Sequence, residues 1–393
     1  KLDLSGNTTA QTFCENAFDL AAGEDISGAL LADSDITSTD PNSLVYLGSN
    51  DVNVQKTFLN NKLNSSIAQN IACNAYEMTL GKNNQIPLVS NLGTIPPFTQ
   101  ITETKIVASD RASSDTFGNS VAISGNYAIV GAYVEDHDAN GNNEITSAGS
   151  AYIFERDSTG NWSEVQKIVA SDRASSDLFG QSVAIDGNYA IVGATSEDHD
   201  ASGNNELLTA GSAYIFERDS TGIWSQVKKI VASDRGAADR FGGAVGISGN
   251  YVIVGALDST LDGSAYIFER DSTGTWSQVK KLVSSDIQAN DRFYRVAIDS
   301  NYAIVGAQYE DDDASGNNLL SNAGSVYIFE RDSNGNWSQL KKIVASDRTS
   351  DDYFGYSVAI SGNYFIVGAN KEDHDASGNN FVDSAGSAYI FEG

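Results

Sequence analysis

Positive charge, cysteine, histidine and proline are all scarce in this sequence. Of 393 residues, 24 are Lys or Arg against 52 Asp or Glu, a formal charge of −28. A field of that sign repels phosphate backbones and anionic headgroups, which argues against a nucleic-acid partner and against a basic patch docked on a membrane. No run of about 18 apolar residues occurs, so no membrane insertion by a helix is expected. Three histidines and two cysteines provide no nitrogen- or sulfur-rich set for zinc. Nor is there a nucleophile–base constellation or a phosphate loop, so no enzyme is expected here. Only 4 residues are Pro, whereas 36 are Gly and 40% are hydrophobic. That composition folds despite its charge.

Both cysteines, Cys14 and Cys73, lie in the first hundred residues. One pair in a long acidic chain reads as a single disulfide in an oxidising compartment, with two buried thiols as the alternative. The chain opens on Lys1, as expected of a mature chain after removal of an export signal. A secreted or cell-surface location is the expectation.

What is abundant is repetition. "DTFGNSVAISGNYAIVGA" (115–132) returns as "DLFGQSVAIDGNYAIVGA" (177–194), and the unit occurs five times, on Phe117, Phe179, Phe241, Phe293 and Phe354. The spacings are 62, 62, 52 and 61 residues, which signals stacked or radially arranged units. All four tryptophans, Trp162, Trp224, Trp276 and Trp337, hold one place in the repeat. Each unit reads as four strands, in the first copy "FGNSVAI" (117–123), "NYAIVGA" (126–132), "GSAYIFE" (149–155) and "WSEVQKIVA" (162–170). Ser124–Gly125 suits a two-residue hairpin, and "RDSTGN" a short loop. In "NYAIVGA", both faces of the pleat are apolar, so both must be covered. Four-stranded sheets packed face to face around an axis do this, predicting an all-β fold, a β-propeller of five blades. A sandwich or solenoid is the alternative.

The fifth unit ends at "GSAYIFEG" (386–393) without a fourth strand, while "ITETKIVASD" (101–110) precedes the first and matches "SEVQKIVASD" (163–172). Strand-exchange ring closure is therefore predicted, with 101–108 alongside 386–392. The blades fall near 116–170, 178–232, 240–284, 292–345 and 353–393 plus 100–109.

At "FG" (117–118, 179–180, 241–242, 354–355) and "VGA" (130–132, 192–194, 254–256, 305–307, 367–369) the chain resembles the FG-GAP repeat proteins, which include bacterial surface proteins and the integrin α-chain head. The resemblance covers about 101–393 and implies a β-propeller in an extracellular adhesion, recognition or assembly role. Two departures matter. The residue after VGA is Tyr133, Thr195, Leu257, Gln308 or Asn370, never Pro, and the place of the integrin calcium hairpin holds only "SGN", "DGN" or "DSN". Integrin calcium positions are therefore not carried over.

An acidic loop follows VGA in four copies: "EDHDANGNNE" (135–144), "EDHDASGNNE" (197–206), "EDDDASGNN" (310–318) and "EDHDASGNN" (372–380). The third copy has lost it, which accounts for its shorter spacing. Asp136, Asp138 and Asn140 before Gly141 match the opening of an oxygen-rich calcium loop. Their counterparts are Asp198, Asp200 and Ser202; Asp311, Asp313 and Ser315; and Asp373, Asp375 and Ser377. The closing bidentate Glu is missing, since Ser147 or Thr209 stands there. Calcium is the candidate cofactor, and a solvated acidic loop is the alternative. Asp115, Asp177, Asp239, Asp291 and Asp352, just before each Phe, read as turn caps, and the Trp residues as blade-edge packing or sugar-stacking platforms.

Residues 1–97 share nothing obvious with the repeats. Helix-like spacing in 9–23 and 65–81 and a strand at 43–48 predict a small mixed α/β domain stapled by Cys14–Cys73, with an N-terminal arm able to add a strand to a neighbour. The domains are then 1–97 and 98–393. The leading functional expectation is a non-catalytic extracellular scaffold for adhesion or self-assembly, partnered by proteins or further copies of itself. A glycan-binding propeller and an extracellular enzyme are the alternatives.

Overall fold

In a computed structural model, residues 103–257, 262–286, 288–378 and 380–393 are described. The expected N-terminal domain, its arm and Cys14–Cys73 lie outside the described residues.

Thr104–Gly393 forms one compact unit of nineteen strands in five antiparallel sheets, with no helix among the described residues. The first sheet holds β1 (Val121–Ser124), β2 (Tyr127–Ala132), β3 (Ser150–Arg156) and β4 (Trp162–Ile168). The second holds β5 (Phe179–Asp186), β6 (Tyr189–Ala194), β7 (Ser212–Arg218) and β8 (Trp224–Ile230). The third holds β9 (Ala244–Ser248), β10 (Tyr251–Ala256), β11 (Ser264–Arg270) and β12 (Trp276–Leu282). The fourth holds β13 (Phe293–Asp299), β14 (Tyr302–Ala307), β15 (Ser325–Arg331) and β16 (Trp337–Ile343). The fifth has three strands, β17 (Phe354–Ser361), β18 (Tyr364–Ala369) and β19 (Ser387–Glu392). Within every sheet the strands neighbour one another in chain order, because short loops hold successive strands together.

The β-branched and aromatic content of "YAIVGA" and "SAYIF" explains why these central strands form. As the pleat predicts, their two faces enter different cores. Ile129, Ala151 and Ile153 pack with Val183, Ala190 and Tyr214 of the second sheet. Val130, Tyr152 and Phe154 face away, with Ile106 and Ala108 over them. The same layering joins the second to the third sheet, the third to the fourth and the fourth to the fifth.

Sheets approach this closely because glycines line the contact. A Cβ on Gly131, Gly193 or Gly306 would overlap the carbonyl oxygen of Gly180, Gly242 or Gly355 in the next sheet, and one on Gly255 that of Tyr294. Parallel bridges Gly149–Phe179, Gly211–Phe241 and Gly324–Phe354 pin three of these junctions.

Two expectations change. The first hairpin turns on Gly125 and Asn126, since Ser124 pairs with Tyr127, one residue later than the spacing suggested. Ring closure within the molecule is absent from the described pairings. β19 pairs only with β18, and no strand pair or shared core cluster joins the first sheet to the fifth. Ile106 and Ala108 pack on the first sheet as Ile168 and Ala170, at the end of β4, pack on the second.

Candidate functional site

The recurring chemistry sits at one end of each sheet, where the acidic loop leaves the second strand. Its first residue is buried. Glu135 is 1% exposed, and its Oε2 accepts from the Ser150 hydroxyl at 2.6 Å. Lys167 Nζ lies 2.9 Å from that same oxygen and 2.7 Å from Asp110 Oδ2. Tyr152 completes the group by donating its hydroxyl to Asp110 Oδ1 at 2.8 Å. The pairing register explains the meeting: Tyr152 stands opposite Lys167 across β3 and β4. The second sheet repeats it with Glu197, Ser212, Lys229, Asp172 and Tyr214. In the fourth the group is Glu310, Ser325, Lys342, Asp286 and Tyr327. Burial and the adjacent carboxylates push the Tyr152, Tyr214 and Tyr327 hydroxyls far above the usual phenol range. Those tyrosines stay neutral donors.

In the third sheet the loop is short, and no Glu reaches Lys281. That lysine is 38% exposed, and among the described residues its one ion pair is with Asp234, at 2.7 Å. The fifth sheet shows the converse. Glu372, 1% exposed, keeps the Ser387 hydroxyl at 2.6 Å and the His374 backbone N–H at 2.7 Å, and Asp347 accepts from Tyr389 at 2.9 Å. No lysine joins them among the described residues.

The predicted calcium ligands are placed differently from a convergent ion cradle. Asp138 Oδ1 accepts the backbone N–H groups of Asn140 and Asn142, both at 2.9 Å, and its Oδ2 accepts from Asn143 Nδ2. These bonds hold its carboxyl below the usual range. Asp136 turns the other way, accepting from Ser147 N–H at 2.6 Å. Asp198, Asp200 and Ser202 repeat this, as do Asp311, Asp313 and Ser315. In the last loop Asp373 accepts from Ser384, and Asp375 from Ser377 and Asn380. Both oxygens of Asp138 and Oδ1 of Asp136 are thus engaged by donors of the loop itself, and the two carboxylates do not converge on one point. Among the described residues no three His, Cys, Asp or Glu side chains gather as a metal-binding group.

The sequence reading missed what clamps the loops. Arg173 donates to the carbonyls of Asp136 at 2.6 Å and Asn143 at 2.8 Å, and Arg235 and Arg348 do the same for the loops of the second and fourth repeats. The signal was the recurring "SDR". The missed lysines had one too, in "QKI" and "KKI".

The acids before each Phe cap turns. Asp177 Oδ2 accepts Ala174 N–H at 2.6 Å and Asp291 Oδ2 accepts Gln288 N–H at 2.6 Å; Asp115, Asp239 and Asp352 are placed alike. Burial raises Asp177 and Asp291 to about 7. The tryptophans are packing residues. Trp224, Trp276 and Trp337 are buried edge-on against Tyr127, Tyr189 and Tyr251 of the preceding sheet, with centroids 5.8, 6.0 and 5.9 Å apart.

Comparison with known proteins divides the chain one strand earlier than the sheets do. A family model described as the FG-GAP repeat matches residues 101–154, 162–216, 224–268, 276–329 and 337–391. No curated protein is similar enough to count as a relative. Among solved structures, a protein from Lactobacillus plantarum is similar at 12% identity and a TM-score of 0.35, covering 70% of this chain and 88% of that one. Five matched repeats over most of the chain, each offset by one strand from the five sheets, lead to one conclusion: the chain belongs to the FG-GAP repeat family.

Proposed function

We propose that this protein is a non-catalytic extracellular scaffold for adhesion and self-assembly, a subunit of a surface filament or matrix. Its five sheets are blades of a β-propeller-type array, and residues 101–108 form the outer strand that the last blade lacks. One observation carries the reading: side chains that catalysis or ligand binding would use are taken up, copy after copy, in holding sheets together. Glu197, Lys229, Asp172 and Tyr214 satisfy one another, and Trp224 is covered by Tyr127. A chain with one asymmetric catalytic centre needs one blade unlike the rest at that centre, whereas the departures here are a shortened loop, a missing strand and Tyr294–Arg295 in the fourth copy, whose guanidinium packs over Tyr294 and Tyr356.

The test is retention of soluble copies and of cells by a sensor coated with the full chain. Retention of either supports a scaffold. Binding of neither, or selective capture of one sugar on a glycan array, overturns it.

A further inference from the structure

Every junction between neighbouring sheets is built from two half-sets of contacts, and among the described residues both half-sets of a fifth junction are present without each other, one on the first sheet and one on the fifth. On the first sheet, Val121 and Ile123 are each 67% exposed. Their counterparts Val183 and Ile185 are each 6% exposed against the sheet before. On the fifth sheet, Ile390 is 72% exposed, whereas its counterparts Ile153, Ile215 and Ile267 are at 0%.

The polar and backbone contacts divide in the same way. Trp162 is only half-buried, and no tyrosine among the described residues caps it. Tyr364, which holds the place of Tyr127, has no tryptophan against it and is 53% exposed. A Cβ on Gly118 would meet nothing within 4 Å, and one on Gly368 only the Ser357 residue of its own sheet. Their counterparts Gly180 and Gly131 meet each other's sheets directly.

The charges complete the pattern. Glu372 and Asp347 stand in the fifth sheet as Glu197 and Asp172 do in the second, but without the lysine. In the register that sets Tyr214 opposite Lys229, the residue due opposite Tyr389 is Lys105, from "TETKIVASD". Lys105 is exposed, and the Ile106–Asp110 stretch after it is anchored on the first sheet through Asp110 and Lys167. A cavity of about 250 Å³ lies between Tyr302, Leu340, Phe365 and Gly393. In complete sheets a fourth-strand tryptophan covers the tyrosine corresponding to Tyr302.

We propose that the fifth junction forms between two copies of this chain: the strand through Lys105 of one molecule adds to β19 of the next, with Lys105 entering the Glu372–Asp347 pair. This rests on the self-assembly reading above and names its partner surface. A second copy is favoured over self-closure because, among the described residues, no strand pair or shared core cluster joins the two ends. The four junctions between them are also fixed by backbone contacts that leave no room for a methyl group. Such a contact is head-to-tail, so it propagates as a ring of molecules or as a fibre.

The experiment uses the full chain. Lys105→Glu and Glu372→Lys should each weaken self-association at least tenfold by light scattering. Mixing the two should restore it as alternating copies, since one interface regains the native pair and the other a reversed pair. Ile390→Asp alters an exposed side chain, so it should keep the fold, checked by circular dichroism, and abolish association. Thr104→Cys with Ile390→Cys, opposite each other in this register, should give a ladder of covalent oligomers on oxidation. A 104–390 disulfide confined to single chains, or association indifferent to all these changes, overturns the end-to-end contact and leaves the scaffold reading standing. No association under any condition overturns the contact, and the coated-sensor assay then decides the scaffold reading separately.

Discussion

At the residue scale, the buried carboxyls give the molecule its pH dependence. Asp177 and Asp291 have folded values of about 7, raised chiefly by burial, against about 3.9 in an unfolded chain. A raised acid favours the folded state most below the unfolded value, and that contribution is lost as pH rises towards 7. Urea denaturation should therefore show stability falling between pH 4 and 7, by up to about 1.4 kcal/mol per pH unit per carboxyl. Asp177→Asn with Asp291→Asn should flatten that slope, since an amide oxygen still caps the turn. The lysines supply a second contrast. Lys229→Met leaves Glu197 buried without its cation and should cost about 3–5 kcal/mol. Lys281→Met, on an exposed pair with no buried Glu, should cost under about 1 kcal/mol.

At the scale of the element, two glycines separate packing from conformation. Gly125 has φ +56 and open space around it, so Gly125→Ala should cost about 1–2 kcal/mol from the backbone alone. Gly131→Ala would push a methyl group into the Gly180 carbonyl and part the first two sheets. It should cost at least 3 kcal/mol and lower the thermal midpoint accordingly. The acidic loops make a different prediction. With their carboxylates accepting from loop N–H groups and their carbonyls clamped by arginine, chelation should leave the melting temperature within about 2 °C, since an ion that is not bound adds no linkage stabilisation. A rise of many degrees on adding calcium would return Asp136 and Asp138 to the role of ligands.

The strands were legible in the sequence because alternation and glycine punctuation report directly on a pleat covered on both faces. What the loops do was less legible. Spacing in "DHDANG" reports which oxygens are near one another, but not whether a backbone N–H or an arginine 37 residues later reaches them first. The buried Glu–Lys–Asp group was hidden for the same reason: its members are far apart in the chain and meet only through strand register.

At the scale of the whole molecule, a charge of −28 sets copies against one another, while the proposed junction would draw them together. Exposed charges are screened by salt and buried pairs much less. Self-association followed by light scattering should therefore strengthen as salt rises from 0.01 to 0.3 M, opposite to an assembly held by surface ion pairs. A weakening would show that exposed charges make the contact. Whether the row would close on itself is the part the sequence could not give, because a repeat unit encodes its contact with a neighbour but not the angle accumulated over five.

The shortened third repeat has a mechanical corollary. Lacking a counterpart of Glu135, its sheet keeps a half-wet lysine where three others have a dry, fully satisfied group. A chain pulled from both ends, as in a tether under shear, should yield first at that middle sheet. Amide exchange should reveal the weakness without any force, with Ser264–Arg270 taking up deuterium ahead of the matching strands on either side.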